Sequence, residues 1–225
     1  MPDLHFYLLG QSNFALSILL DTLRALYPDA RLSADIVANI EPERNDSLAW
    51  PYATPGIEAR EIWWEHWRPE PEVPCLLASI GRSREAIFRF FETQFGIGPD
   101  RYAPNIHPGA VAAATAQLGR GLHISPGAVV APFASLGDFA VLNRSCSVGH
   151  HSVLEAFVRV NPGATIAGLC RIGRGAAIGA GATVLDRVSV GAGSVIGAGS
   201  VVTRDVPAGV VAYGAPARVV REVEG

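Results

Sequence analysis

An aliphatic or small residue returns at every sixth position through most of the second half of the chain. A helix repeats every 3.6 residues and a simple strand every two, so neither explains a period of six. The pattern predicts short strands joined by tight turns in a solenoid. The positions of this register are Ile106, Ala112, Leu118, Ile124, Val130, Leu136, Leu142, Val148, Leu154, Val160, Ile166, Ile172, Ile178, Val184, Val190, Ile196 and Val202.

A second register of small side chains lies four residues further on, and glycine often follows the aliphatic position. Recurrent glycine favours a turn in every repeat. If a coil has three sides of six residues, residues n and n+18 become vertical neighbours about 4.8 Å apart. Each turn is then expected to bury one large and one small side chain. The small residues are Ala110, Ala116, Ala128, Ala134, Ala140, Cys146, Ser152, Ala164, Cys170, Ala176, Ala182, Ser194 and Ser200.

The first hundred residues have a different pattern, in which buried strands alternate with helices. This alternation indicates a small parallel α/β sheet, with a ligand crevice at the carboxyl ends of its strands near Gly10 and Gly81. We therefore expect an α/β domain over 1–103 and a solenoid domain with a C-terminal cap over 104–225. The predicted elements are strands over 4–9, 34–40 and 73–80 and helices over 12–27 and 83–95.

Composition excludes several classes of function. The net charge is −3 and there is no basic run, so the chain lacks the electrostatic footprint of a nucleic-acid-binding protein. No apolar stretch reaches membrane-spanning length, and we expect a cytoplasmic protein without a membrane partner. Cys75, Cys146 and Cys170 are an odd number without metal-ligand spacing. Two of them fall in the small inward register, where a thiol acts as a small hydrophobe.

All four tryptophans lie between the second and third predicted strands. They could form a stacking platform for a base or a sugar. They could also pack against the first helix, the solenoid or a neighbouring subunit, and we favour packing because tryptophan is enriched at interfaces. The four are Trp50, Trp63, Trp64 and Trp67.

The chain resembles a family of hexapeptide-repeat acyltransferases with an N-terminal Rossmann-like subdomain. This family includes bacterial sialic acid O-acetyltransferases and N-acetyltransferases of nucleotide-linked 4-amino sugars. The resemblance implies a left-handed parallel β-helix after the small α/β subdomain, a homotrimer, and acetyl-coenzyme A bound between subunits, with the acceptor entering from the α/β subdomain. The motifs that carry it, besides the hexads, are Ser79-Ile80-Gly81, Ile106-His107-Pro108, Val148-Gly149-His150 and Gly214-Ala215-Pro216-Ala217.

The resemblance also implies a catalytic site. His150 matches the general base of the family, and Asn143 matches the polar residue beside it. Gly168, one coil above His150 by the n+18 rule, matches the backbone N–H that binds the thioester carbonyl. A base and a fixed donor one strand spacing apart leave room for a nucleophile and a carbonyl between them.

The remaining binding residues follow from the same resemblance. Arg159 stands where related enzymes often carry a second histidine near the acetyl group, and it could grip a carboxylate or phosphate. Arg204 and Arg218 are candidates to contact the coenzyme A phosphates. No metal is expected, and His107 and His123 are interpreted as structural residues that cap or line the outer face.

Two positions depart from the family pattern near the proposed base and acceptor. The acidic residue that usually follows the catalytic histidine is His151 here, and a carboxylate such as Glu155 could reach in instead. The glycine-rich turn after the first strand retains one glycine, although the helix N-terminus can still attract an anion. The predicted acceptor-binding residues are Gly10, Gln11, Ser12 and Asn13 of this turn and Asn39 after the second strand.

The leading hypothesis is an acetyl-coenzyme A-dependent N-acetyltransferase for a nucleotide-linked amino sugar in bacterial surface-glycan biosynthesis. The alternatives are O-acetylation of a free sugar such as a sialic acid, and a non-catalytic scaffold that binds a sugar nucleotide. Zinc-dependent carbonic anhydrases also use left-handed prisms. His123, His150 and His151 lack the paired spacing of that fold.

Overall fold

The computed structural model describes residues 1–10, 13–40 and 54–224, without the side chains of residues 13 and 14. The chain divides into two compact units, Met1–Asn105 and Ile106–Gly225. No helix in the described part of the chain is long and apolar enough to span a membrane.

The first unit contains a parallel sheet of four strands, β1 (Asp3–Leu9), β2 (Arg31–Ala38), β3 (Ile57–Trp63) and β4 (Cys75–Leu77). Their order in the sheet is β3-β2-β1-β4. The helix after β1 buries one apolar face, including Leu16 and Leu20, in a shared core with Leu8 and Ile36 of the sheet. This helix is α1 (Asn13–Leu26), a second helix, α2 (Arg84–Phe95), follows β4, and 3-10 turns lie at Trp64–His66 and Pro99–Arg101.

Strand β3 is the element that the sequence pattern does not predict. It forms the edge of the sheet and is mostly exposed, carrying Glu58, Arg60 and Glu61. Charged side chains on an edge strand oppose pairing with other chains, but they remove the alternation that marks a half-buried strand. Arg60 reaches the buried Asp35 of β2, with its Nε 2.6 Å from Oδ1.

The packing interpretation of the tryptophans is right for two of them, but their partner is α2 rather than α1. Trp67 is buried and meets the ring of Phe95 edge-on at 5.1 Å between centroids. Trp64 meets Phe90 edge-on at 5.2 Å. Trp50 lies outside the described residues. These contacts pack the rings of Trp64 and Trp67 against other residues of the first unit.

The second unit is a left-handed parallel β-helix with three faces, built from two-residue strands that recur every six residues. The first face contains Asn105–Ile106, His123–Ile124, Val141–Leu142, Arg159–Val160, Ala177–Ile178, Val195–Ile196, Val210–Gly214 and Ala217–Glu222. The second contains Val111–Ala112, Val129–Val130, Ser147–Val148, Thr165–Ile166, Thr183–Val184 and Val201–Val202. The third contains Gln117–Leu118, Ser135–Leu136, Val153–Leu154, Arg171–Ile172 and Ser189–Val190.

The core of the β-helix consists of the two registers seen in the sequence. Both the aliphatic and the small positions are buried from Ile124 onward, and strands 18 residues apart pair in parallel, as Val148 does with Ile166. In the first coil Ala112 and Leu118 are exposed. Cys146 and Cys170 lie fully inside, as predicted, and burial raises the pKa of the Cys146 thiol to about 12.

From residue 121 to residue 199, every sixth residue has a positive φ angle. Glycine occupies this place in many turns, as at Gly163 and Gly181 with φ values of 68° and 64°. A residue with a Cβ in this conformation costs about 1–2 kcal/mol. The non-glycine residues with positive φ are Phe133, Phe139, Ser145, His151, Phe157, Leu169 and Arg187.

Candidate active site

Four residues lie one above another along one edge of the prism, where the second face turns into the third. Three of them are predicted site residues, and the fourth, Asp186, is not. His150, Gly168, Asp186 and Arg204 each follow a strand of the second face by two residues. The parallel pairing of these strands puts the four positions on successive coils. We call this column the catalytic corner.

The imidazole of His150 lies directly against Gly168. A Cβ added to Gly168 would be 2.7 Å from Nε2 and 2.8 Å from Cε1 of His150. Only glycine therefore leaves room for the ring in this position. The coils are tied together here by the Leu169 N–H, which donates to the His150 carbonyl at 2.9 Å, and the side of the ring away from the chain is exposed.

The other ring nitrogen of His150 is held by the next residue. Nδ1 of His150 and Nδ1 of His151 are 3.1 Å apart, and the two rings are nearly perpendicular at 85°. The predicted alternative, a carboxylate from Glu155, is wrong in this structure. Glu155 Oε2 instead accepts a hydrogen bond from the Arg174 backbone N–H at 2.9 Å.

The backbone N–H of Gly168 points out of the β-ladder and has a side-chain partner. It donates to Asp186 Oδ1 at 2.8 Å. The donor predicted for a thioester carbonyl is therefore engaged in this structure by a carboxylate oxygen. A matching contact joins the Arg120 N–H to Asp138 Oδ1 at 2.8 Å, so such a cap also forms away from the catalytic corner.

Asn143 and Arg159 lie elsewhere on the prism. Asn143 directly follows a strand of the first face, is buried, and accepts the Arg144 N–H on Oδ1 at 3.1 Å. Arg159 is itself part of a first-face strand and is 9% exposed. The strand Ser147–Val148 separates this region from His150, so a single chain carries these predicted residues in two places.

The two arginines proposed for phosphate contacts are also separated. Arg204 is exposed at the last position of the catalytic corner. Arg218 is exposed in the strand Ala217–Glu222 of the first face, with a guanidinium nitrogen 3.0 Å from the Ala217 carbonyl. Each is therefore accessible to an anion from a different side of the prism.

The predicted acceptor residues in the first unit are described only in part. Gly10 has φ +87°, and a Cβ there would meet Ile87 of α2 at 2.7 Å, so this glycine is required by the turn and by helix packing. Gln11 and Ser12 lie outside the described residues, and Asn13 begins α1. Asn39 follows β2, and among the described residues its buried Oδ1 has no hydrogen-bond partner.

A buried arginine at the carboxyl end of β4 was not predicted. Arg84 is 3% exposed, and its guanidinium donates to the carbonyls of Leu77 and Ser79. Burial lowers the pKa of Arg84 to about 9. The Ser79 hydroxyl lies 2.9 Å from that of Ser83 and accepts the Gly81 N–H at 3.1 Å. The Ser79-Ile80-Gly81 motif is thereby fixed, although an arginine in a first helical turn ordinarily indicates solvent exposure.

The other histidines of the β-helix have structural partners. His107 Nδ1 accepts the Gly109 N–H at 2.9 Å. His123 is fully buried, rather than on an exposed outer face, and its Nε2 lies 3.0 Å from the Ser125 hydroxyl. Within the described ranges, no three His, Cys, Asp or Glu side chains are grouped as metal ligands.

Comparison with known proteins agrees with the repeat and the fold. Residues 169–204 match the family model described as bacterial transferase hexapeptide (six repeats). No curated protein matches the chain. The match to the repeat model, together with the coil pairing, shows hexapeptide repeats in this part of the β-helix.

Several solved structures share the whole fold. A variant of GDP-perosamine N-acetyltransferase from Caulobacter crescentus, in complex with CoA and GDP-perosamine, is 25% identical, with a TM-score of 0.76 over 96% of this chain and 97% of its own. The acetyltransferase domain of PglB from Neisseria gonorrhoeae, in complex with acetyl coenzyme A, is 24% identical, with a TM-score of 0.78 over 97% and 98%. WeeI from Acinetobacter baumannii is 20% identical, with a TM-score of 0.76 over 97% and 100%.

These comparisons confirm the resemblance found in the sequence at the level of repeat and fold. The chain contains hexapeptide repeats and shares with these solved acetyltransferase structures a fold in which an α/β unit is followed by a left-handed β-helix.

Proposed function

We propose that this protein is an acetyl-coenzyme A-dependent N-acetyltransferase that modifies the amine of a nucleotide-linked amino sugar, with His150 as its general base. The solved structures of similar fold support the donor and the acceptor class, because they hold acetyl coenzyme A in one case and CoA with GDP-perosamine in another. A role in surface-glycan biosynthesis follows if the product is a glycan precursor.

The observation that carries this proposal is the placement of His150. Its Nδ1 is occupied by His151, and its Nε2 lies over the one residue of the corner that has no side chain. An exposed ring held on one nitrogen and open on the other suits a general base, which must be within hydrogen-bond reach of the nucleophile.

The chemistry needs three events at this corner. The acceptor nitrogen attacks the thioester carbonyl carbon as Nε2 of His150 takes one of its protons. The Gly168 N–H stabilises the oxyanion after the carbonyl displaces Asp186 from it. The carbon–sulfur bond then breaks, and the departing thiolate takes the proton from Nε2 of His150 and leaves as coenzyme A. No covalent enzyme intermediate is required.

A homotrimer with active sites between subunits is part of the proposal. It is supported by the separation of the predicted residues, since His150 and Gly168 lie at the catalytic corner whereas Asn143 and Arg159 lie on or beside the first face. Two adjacent prisms would bring one region of each chain together in a shared cleft.

The first test is replacement of the base. We expect His150→Ala to lower kcat by about 10²–10⁴-fold, the usual contribution of a general base, in an assay of coenzyme A release from acetyl-coenzyme A. His107→Ala is the matched control because His107 has only a local contact with Gly109. Equal kcat for His150→Ala and wild type would refute the role of His150.

The acceptor distinguishes the N-acetyltransferase from its alternatives. Release of coenzyme A with a nucleotide-linked 4-amino sugar, and none with its 4-hydroxy counterpart, supports N-acetylation. Turnover only with an unlinked sugar such as a sialic acid would establish the O-acetyltransferase instead. Binding of a sugar nucleotide without binding of acetyl-coenzyme A, measured by calorimetry, would indicate a non-catalytic scaffold.

A further inference from the structure

His151 is built into the catalytic corner as the direct partner of His150. A hydrogen bond between the two Nδ1 atoms, 3.1 Å apart, requires one of them to carry a proton and the other to present a lone pair. A neutral imidazole has one nitrogen of each kind. The contact therefore couples the tautomer of each ring to that of the other.

The role of His150 fixes the direction of this hydrogen bond, and to this extent the inference rests on the proposed function. A base that accepts a proton at Nε2 must carry its own hydrogen on Nδ1 while it is neutral. His150 then donates from Nδ1, and His151 accepts on Nδ1. His151 consequently keeps its hydrogen on Nε2, on an exposed side chain.

Two features hold the His151 ring where it can accept. Its backbone has φ +58°, in the left-handed region where many other turns of this prism have glycine. One coil below, the ring of Phe133 lies 4.9 Å from it at an interplanar angle of 30°. The turn and the contact with Phe133 together keep Nδ1 of His151 within 3.1 Å of Nδ1 of His150.

We infer that His151 is the positioning residue of His150 and the exit for the proton that His150 removes. As Nε2 of His150 takes a proton from the acceptor amine, the Nδ1 proton of His150 moves to Nδ1 of His151. The Nε2 proton of His151 then passes to water. One proton enters the pair and one leaves it, so both rings are neutral in the tetrahedral intermediate, without an imidazolium that depends on the Asp186 carboxylate on the far side of Gly168. When the departing thiolate takes the Nε2 proton of His150, the transfers run in reverse and restore the starting tautomers.

The variant that removes the relay and its matched control both place asparagine at a position with positive φ. His151→Asn removes the imidazole but tolerates the left-handed conformation. Ser145→Asn is the matched control, because Ser145 has φ +55° at another corner. His151→Glu replaces the relay by a carboxylate, which stabilises an imidazolium in place.

We expect His151→Asn to lower kcat by about 10- to 100-fold, less than the loss of the base itself, with the KM for acetyl-coenzyme A unchanged. His151→Glu should recover most of this kcat and move the acid limb of the pH–rate profile to higher pH. The proton inventory in H₂O–D₂O mixtures should be curved for wild type and linear for His151→Asn. Ser145→Asn should match wild type in all three measurements.

Wild-type kcat in His151→Asn, or a loss of kcat no greater than that in Ser145→Asn, would overturn the inference. An activity-independent measurement separates this outcome from failure of the proposed function. Nitrogen-15 NMR of the labelled chain should show hydrogen on Nδ1 of His150 in wild type and a changed tautomer mixture in His151→Asn. An unchanged tautomer mixture of His150 in His151→Asn would contradict the coupling, whether or not the chain transfers acetyl groups.

Discussion

Gly168→Ala isolates the contact on which the proposed site depends. The added Cβ would lie 2.7 Å from Nε2 and 2.8 Å from Cε1 of His150. Since non-bonded carbon and nitrogen atoms pack at about 3.5 Å, the ring must retreat by about 0.8 Å. A displacement of about 1 Å at a reacting group can cost 10²-fold in rate, so we expect kcat to fall by about 10- to 100-fold.

The fold should tolerate this substitution, because the clash is with a side chain at the surface. Gly181→Ala provides the opposite case, since a Cβ there meets nothing within 4 Å but the residue has φ +64°. That strain costs about 1–2 kcal/mol, which lowers the Tm by several degrees in a chain of this size. We therefore expect Gly168→Ala to lose activity at nearly wild-type Tm, and Gly181→Ala to lose Tm at nearly wild-type kcat.

The assay pairs coenzyme A release under saturating substrates with thermal unfolding followed by circular dichroism. Wild-type kcat in Gly168→Ala would refute the reasoning, because His150 would then work from a position other than the one against Gly168. A large loss of Tm in the same variant would show that Gly168 is needed for the stability of the coil rather than for the position of the His150 ring.

Two further predictions concern the carboxylate of the corner and the buried thiols. Asp186→Ala frees the Gly168 N–H, so acetyl-coenzyme A should bind about 3- to 10-fold more tightly relative to coenzyme A in calorimetry, the value of one hydrogen bond. Asp138→Ala, which removes the matching cap on Arg120, should leave that ratio unchanged, and an unchanged ratio in Asp186→Ala would contradict the prediction. Burial raises the pKa of Cys75 and Cys146 from 9.0 to about 12. The stability that their burial provides is therefore complete below pH 9 and lost as the pH rises toward 12. At pH 8, iodoacetamide should modify both thiols in urea but neither in the native chain, and mass spectrometry would detect the difference.

The architecture of the β-helix follows from the sequence because its core repeats along the chain. Every residue of the hydrophobic core cluster from Ile124 to Val202 belongs to one of two registers of period six, and no long-range information is needed to find these residues. The n+18 rule also places Gly168 over His150. Strand β3 could not be predicted in this way. It is an exposed edge strand with charged residues at 58, 60 and 61, so it has no buried face that would produce an alternating hydrophobic pattern.

The contacts at the catalytic corner can be predicted less completely from the sequence. Applying the n+18 rule once more, from Gly168, would have reached Asp186, so a signal for that residue existed. The pairing of His150 with His151 had no comparable signal, since neighbours in sequence usually point apart and their contact depends on the left-handed turn at residue 151. Arg84 is similar, because only the fold reveals that its guanidinium is enclosed by carbonyls.

The eighteen-residue repeat sets the spacing of the residues in this site. His150 and Gly168 face each other because one complete circuit of the prism separates them. An insertion of one or two residues in this circuit would carry the glycine around the bend to a different side, however well the hydrophobic core absorbed it. Between these two residues, chain length is constrained more tightly than chain composition.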